Sequence, residues 1–151
     1  MQQTTQSAGT EPEPASSTDQ ADDGLARRKL NAVRDELRRA ELAFLAAKQV
    51  FGDANAREAA GKIADALGRA SRAIDSPEKG AAVHAVVQAL AGASRFDPAW
   101  HPVEFAKTAA WSVGRAGRMM AGCGFPAVAY WGRTLIRMAG AFAAMKDALT
   151  V

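Results

Sequence analysis

Seven residues in the last third of the chain combine the two side-chain types that hold an unpaired nucleic-acid strand: Lys107, Trp111, Arg115, Arg118, Tyr130, Arg133 and Arg137. Cations attract the phosphate backbone, and flat aromatic rings stack on exposed bases whatever their identity. Between Phe105 and Lys146 there are six bases and not one Asp or Glu, so the segment presents a one-sign surface. Trp111 has Lys107 four residues before it and Arg115 and Arg118 four and seven residues after it. On a helix that spacing sets the indole in a row of three cations. The same residues also admit a structural role, in which Trp111 packs on the first helix or on another subunit and the arginines cover it through cation–π contact.

Other reactive side chains lack the company that catalysis requires. His84 flanks an apolar stripe with no second ligand at i+3 or i+4, which marks a structural histidine rather than a metal ligand. Asp97 and His101 are spaced to hydrogen bond, yet no nucleophile or third orienting group accompanies them. A single cysteine, Cys123, excludes an internal disulfide. Its flanking Gly122 and Gly124 fit a turn that needs left-handed backbone better than a phosphate cradle. With no paired-carboxylate site in view, the expectation is a protein that is not an enzyme and needs no metal or cofactor.

The elements that must position the seven residues follow from apolar spacing. Leu30, Val33, Leu37, Ala40, Phe44, Ala47 and Phe51 recur at 3,4 intervals and predict a long amphipathic first helix, capped by Asp22 or Asp23 and ended by Gly52-Asp53. Arg27, Arg34 and Arg38 share its solvated face, interleaved with Asp35, Glu36 and Glu41. Ala56, Ala60, Ile63, Leu67, Ala70 and Ile74 predict a second helix over about 55–75, thin-faced and open to close approach at Gly61 and Gly68. Ser76-Pro77-Glu78 is a helix start, and Val83, Val86, Val87 and Leu90 carry the third helix to about Ala93. Arg95 to Pro102 is a connection anchored by Phe96 and Trp100. A fourth helix from Pro102 to about Ala121 turns Ala106, Ala109, Val113, Ala116 and Met120 inward, and a fifth from Pro126 buries Val128, Trp131, Leu135, Met138, Phe142, Met145 and Leu149. The five-residue turn 122–126 packs the last two antiparallel and brings the seven residues onto one outward face.

Composition bounds the rest. At 151 residues and 48% apolar content, one all-α domain with its own core is expected over residues 25–151. Residues 1–24 carry five acids, no base and no bulky apolar residue after Met1, which reads as a disordered acidic tail. Those acids mask the charge of the remainder: the whole chain is +3, whereas residues 25–151 hold all nineteen bases against eleven of the sixteen acids, a net of +8. An acidic tail beside a basic domain can compete for the face that meets a polyanion. Neither a signal peptide nor an apolar run of about 18 residues is present, so a soluble cytoplasmic protein without a membrane partner is expected.

Residues 60–75 look superficially like a helix-turn-helix, with Ile63-Ala64, Leu67-Gly68 at the turn, then Ser71 and Ile74. Arg69 stands where that motif wants an apolar residue, and Pro77 would end the recognition helix early. At the level of architecture, residues 25–149 resemble the small all-α subunit of multisubunit CRISPR effector ribonucleoproteins, through their size, helical character, short hairpin and outward arginines. That resemblance implies a non-catalytic bundle that stacks in several copies and lends basic residues to the crRNA–target duplex or the displaced single strand. The alternative is a helical protein-interaction module, such as an adaptor, chaperone or phage accessory protein, in which Trp111 and Ile136 meet a partner helix.

Overall fold

Apolar residues three and four apart give each helix one buried seam, and the seams meet in a common core. A computed structural model describes residues 13–94 and 103–149, which form an all-α bundle of five helices. These are α1 (Glu13–Lys48), α2 (Ala54–Ala73), α3 (Lys79–Ser94), α4 (residues 103–121) and α5 (Pro126–Leu149). Contacts close them into a ring in the order α1, α2, α3, α5, α4 and back to α1. Val33, Leu37, Ala40, Phe44 and Phe51 from α1 and the turn after it lie buried with Ile63, Leu67 and Ala70 of α2 and Ile74 at its C-cap, as their spacing predicts.

Helix ends follow local chemistry. Asp53 caps α2, its carboxylate accepting from the backbone amides of Asn55 (2.8 Å) and Ala56 (3.0 Å). Arg57 reaches back to donate to the carbonyls of Phe51 and Gly52, tying down the α1–α2 turn. Ser76 accepts from the amide of Glu78 (3.1 Å), so it serves the start of α3 as expected, although regular helix begins only at Lys79. In the α4–α5 turn Gly124 adopts φ +91°, the left-handed backbone anticipated there.

Two expectations change, at the start of α1 and along the inner face of α5. Helix α1 begins at Glu13, upstream of Asp22 and Asp23, because once a packed seam has nucleated a helix each further turn adds hydrogen bonds at little cost. Residues 1–12 of the acidic segment, and the Arg95–Pro102 connection with Phe96, Asp97, Trp100 and His101, lie outside the described residues. Helix α2 runs unbroken through Leu67-Gly68, so the turn that a helix-turn-helix needs is absent. Gly68 instead admits the Glu41 side chain of α1, whose carboxylate oxygen lies 2.6 Å from where a Cβ would stand. In α5 the innermost line is Val128, Gly132, Leu135, Ala139 and Phe142, with Trp131 and Met138 on its flank. Small residues take the centre because α4 crosses there: a Cβ on Gly132 would lie 2.6 Å from the Ala121 nitrogen and 2.7 Å from the Gly117 carbonyl oxygen.

Helix α4 is also not uniform. Val103–Thr108 and Gly114–Ala121 are α-helical, but Ala109–Val113 between them is a π-helical segment. The buried Ser112 hydroxyl donates to the Thr108 carbonyl at 2.7 Å, taking up an acceptor of the α-helical ladder at the point where the segment widens. Ala106, Ala109, Val113, Ala116 and Met120 are fully buried as their spacing predicts, and Phe105 and Ser112 join them on the inner face. Phe105 sits at the centre of an aromatic group with Phe44 (6.0 Å), Phe51 (5.6 Å) and Phe142 (6.1 Å), which fixes the start of α4 against α1 and α5.

Candidate nucleic-acid interface

Trp111 projects from the middle of the π-helical segment and is 61% exposed. Here the adjacent Ser112 and Val113 take the inward positions and leave the indole outside. The Arg115 guanidinium carbon lies 5.2 Å from the ring centroid, a cation–π contact one turn along the helix.

Arg115 is held from its other side. Its Nε donates to Glu36 Oε2 of α1 at 3.1 Å, and Arg39 donates to Glu36 Oε1 at 3.2 Å. Glu36 is only 3% exposed, so it is not part of the solvated charged face expected for α1. Two arginines neutralise it, and that pairing is what makes burial of a carboxylate tolerable. Arg115 is therefore a partly committed charge, anchored to α1 as well as to Trp111.

Lys107 and Arg118 differ from it. Both are exposed, and among the described residues neither has an ion-pair partner. Arg118 folds back over Gly114, where a Cβ would come within 3.2 Å of its Nη1. With Lys107, Ala110, Trp111 and Lys146 of α5 it lines a shallow concavity of about 350 Å3. Lys146 pairs with neighbouring Asp147 at 3.6 Å.

Tyr130, Arg133 and Arg137 form a separate group on the outward side of α5. Tyr130 is 55% exposed and meets Trp131 edge to face at 5.2 Å. Trp131 in turn meets the exposed His84 of α3 at 5.6 Å, and the His84 ring shares a hydrogen bond with Gln88 at 2.9 Å. Arg137 donates to the Thr134 hydroxyl at 3.3 Å, while Arg133 has no ion-pair partner among the described residues. The fold thus gathers Lys107, Trp111, Arg115 and Arg118 closely. It sets the other three along the next helix with no ion pair or ring contact between the groups among the described residues. Ile136 is half-buried and turns against Gly117, its Cγ1 3.0 Å from where a Cβ would stand, at the α4–α5 contact.

Sequence reasoning missed Glu36 and Lys146. Lys146 was legible as the last base of the acid-free run. Glu36 was not, because nothing in the α1 pattern reports which flank α4 covers. Among the described residues no cluster of three or more His, Cys, Asp or Glu is placed to hold a metal ion, and no helix is long and apolar enough to cross a membrane. Comparison of the chain with protein families, curated proteins and solved structures returns no match.

Proposed function

We propose that this protein is a non-enzymatic nucleic-acid-binding subunit acting in a cytoplasmic ribonucleoprotein complex, contacting the RNA or DNA backbone through the basic face of α4 and α5. One observation carries the reading: an exposed indole stands among Lys107, Arg115 and Arg118, on a helix pair that offers no acid between Phe105 and Lys146. Lys107 and Arg118, which have no ion-pair partner among the described residues, bring their full charge to a phosphate, and an exposed ring supplies a stacking surface. The architectural resemblance to small helical subunits of multisubunit CRISPR effectors supports placement beside a crRNA–target duplex or displaced strand, among other subunits and copies of itself.

The direct test is a titration of single-stranded RNA and DNA against the protein across a salt series. Binding that weakens linearly in log–log form as salt rises is expected. No affinity at about 50 mM salt, for the isolated protein or for its complex, would sink the reading.

A second reading rests on a different observation. Leu42 and Leu45 on the outer side of α1, and Val50 just past its end, are exposed apolar residues of the kind that meet a partner protein. A pure protein-interaction module would lose assembly on Leu42→Asp with Leu45→Asp and keep it when Lys107, Arg118, Arg133 and Arg137 are reversed in charge. The nucleic-acid reading gives the opposite outcome, with assembly kept in the first variant and nucleic-acid binding lost in the second.

A further inference from the structure

The concavity beside Trp111 is built more specifically than a basic surface requires. Three cations from two helices, Lys107 and Arg118 of α4 and Lys146 of α5, surround one exposed ring over a floor that includes Ala110. Arg115 is not among the lining residues. It contacts the ring at 5.2 Å and is fixed by the buried Glu36 at 3.1 Å, so the indole is held by its own protein while the concavity stays open. A volume of about 350 Å3 lies at the small end of the range for small-molecule pockets and accommodates one planar ring with its attached charge. A duplex hides its base faces in the stack and would offer this site only phosphate. An unpaired strand offers a base face and a phosphate within one repeat.

We infer that this concavity is a subsite for a single unpaired nucleotide, whose base stacks on Trp111 while the adjoining phosphates pair with Lys107 and Arg118. Arg115 touches the ring from outside the concavity, and its pairing with Glu36 keeps part of its charge from the strand. The inference rests on the nucleic-acid reading above and narrows it to single strands.

Three variants and three ligands test it with the full-length protein. The ligands are a single-stranded oligothymidylate, an abasic phosphodiester strand of equal charge, and a duplex. Trp111→Ala is expected to weaken oligothymidylate binding by roughly five- to a hundredfold with the salt slope unchanged, since stacking carries no charge. Trp111→Phe retains a ring and is expected to restore most of the affinity. Lys107→Ala with Arg118→Ala is expected to flatten the salt slope by about 1.4, two contacts at about 0.7 each for a single strand. The abasic strand and the duplex should be indifferent to Trp111→Ala. Trp111 is exposed, so its variants are expected to fold, which circular dichroism checks. Wild-type affinity for oligothymidylate that does not change on Trp111→Ala, or a duplex that is equally sensitive to it, overturns the subsite alone. Failure of the wild-type protein to bind any of the three ligands overturns the nucleic-acid reading itself.

Discussion

Glu36 shows how one residue can serve stability and oppose binding. Its carboxylate is buried and shared by Arg39 and Arg115, whereas both arginines keep part of their side chains in water. Removing the buried member therefore releases two cations to solvent, and removing a cation leaves a buried anion with less compensation. Glu36→Gln is expected to destabilise the bundle by about 1 kcal/mol, because an amide accepts weaker hydrogen bonds than a carboxylate. It also frees Arg115, so single-strand affinity should rise and the salt slope steepen by up to about 0.7. Arg115→Ala combined with Arg39→Ala strands the carboxylate and should cost about 3 kcal/mol or more in urea unfolding. A Glu36→Gln variant that loses stability and affinity together would show that Arg115 acts only as a strut.

At the scale of elements, the α4–α5 hairpin depends on residues without side chains. Gly117 and Gly132 face each other across the crossing, and Gly114 approaches Ala139, with its Cβ position 3.5 Å from the alanine methyl. Gly132→Ala places a methyl into backbone atoms that cannot rotate away, and it is expected to cost about 1–3 kcal/mol despite the better helix propensity of alanine. Gly140→Ala sits on the same helix with nothing within 4 Å and should stabilise by about 0.5–1 kcal/mol. Thermal melts of the two variants moving in opposite directions would verify that close approach sets the hairpin.

For the whole molecule the question is whether the two cationic groups act as one surface. Lys107 and Arg118 belong to the α4 concavity, and Arg133 and Arg137 to the outer side of α5. A strand that engages all four should bind with a log–log salt slope near about −3, and one that meets a single group with about half of that. Charge reversal of each pair in turn, with the slope measured, separates these outcomes. Equal losses for either pair mark a continuous track, and loss confined to Lys107 and Arg118 marks one local site.

The apolar spacing was sufficient to determine five helices, most of their ends and the inward residues of α1, α2 and α4, because a helix of fixed pitch turns sequence separation into direction. It likewise determined the acid-free run and the company of Trp111 on α4, which are local properties of one helix. What spacing cannot carry is which flank of a helix a non-adjacent helix will cover. That depends on the ring order of the bundle, and it is why Glu36 passed for a solvated acid and Trp131 for the centre of a seam in which Gly132 lies deeper. The π-helical segment Ala109–Val113 likewise has no signature in the apolar spacing, which runs through it at regular 3,4 intervals. Sequence alone thus settled the charge and the ring, and the tertiary structure decided which cations remain free to use them.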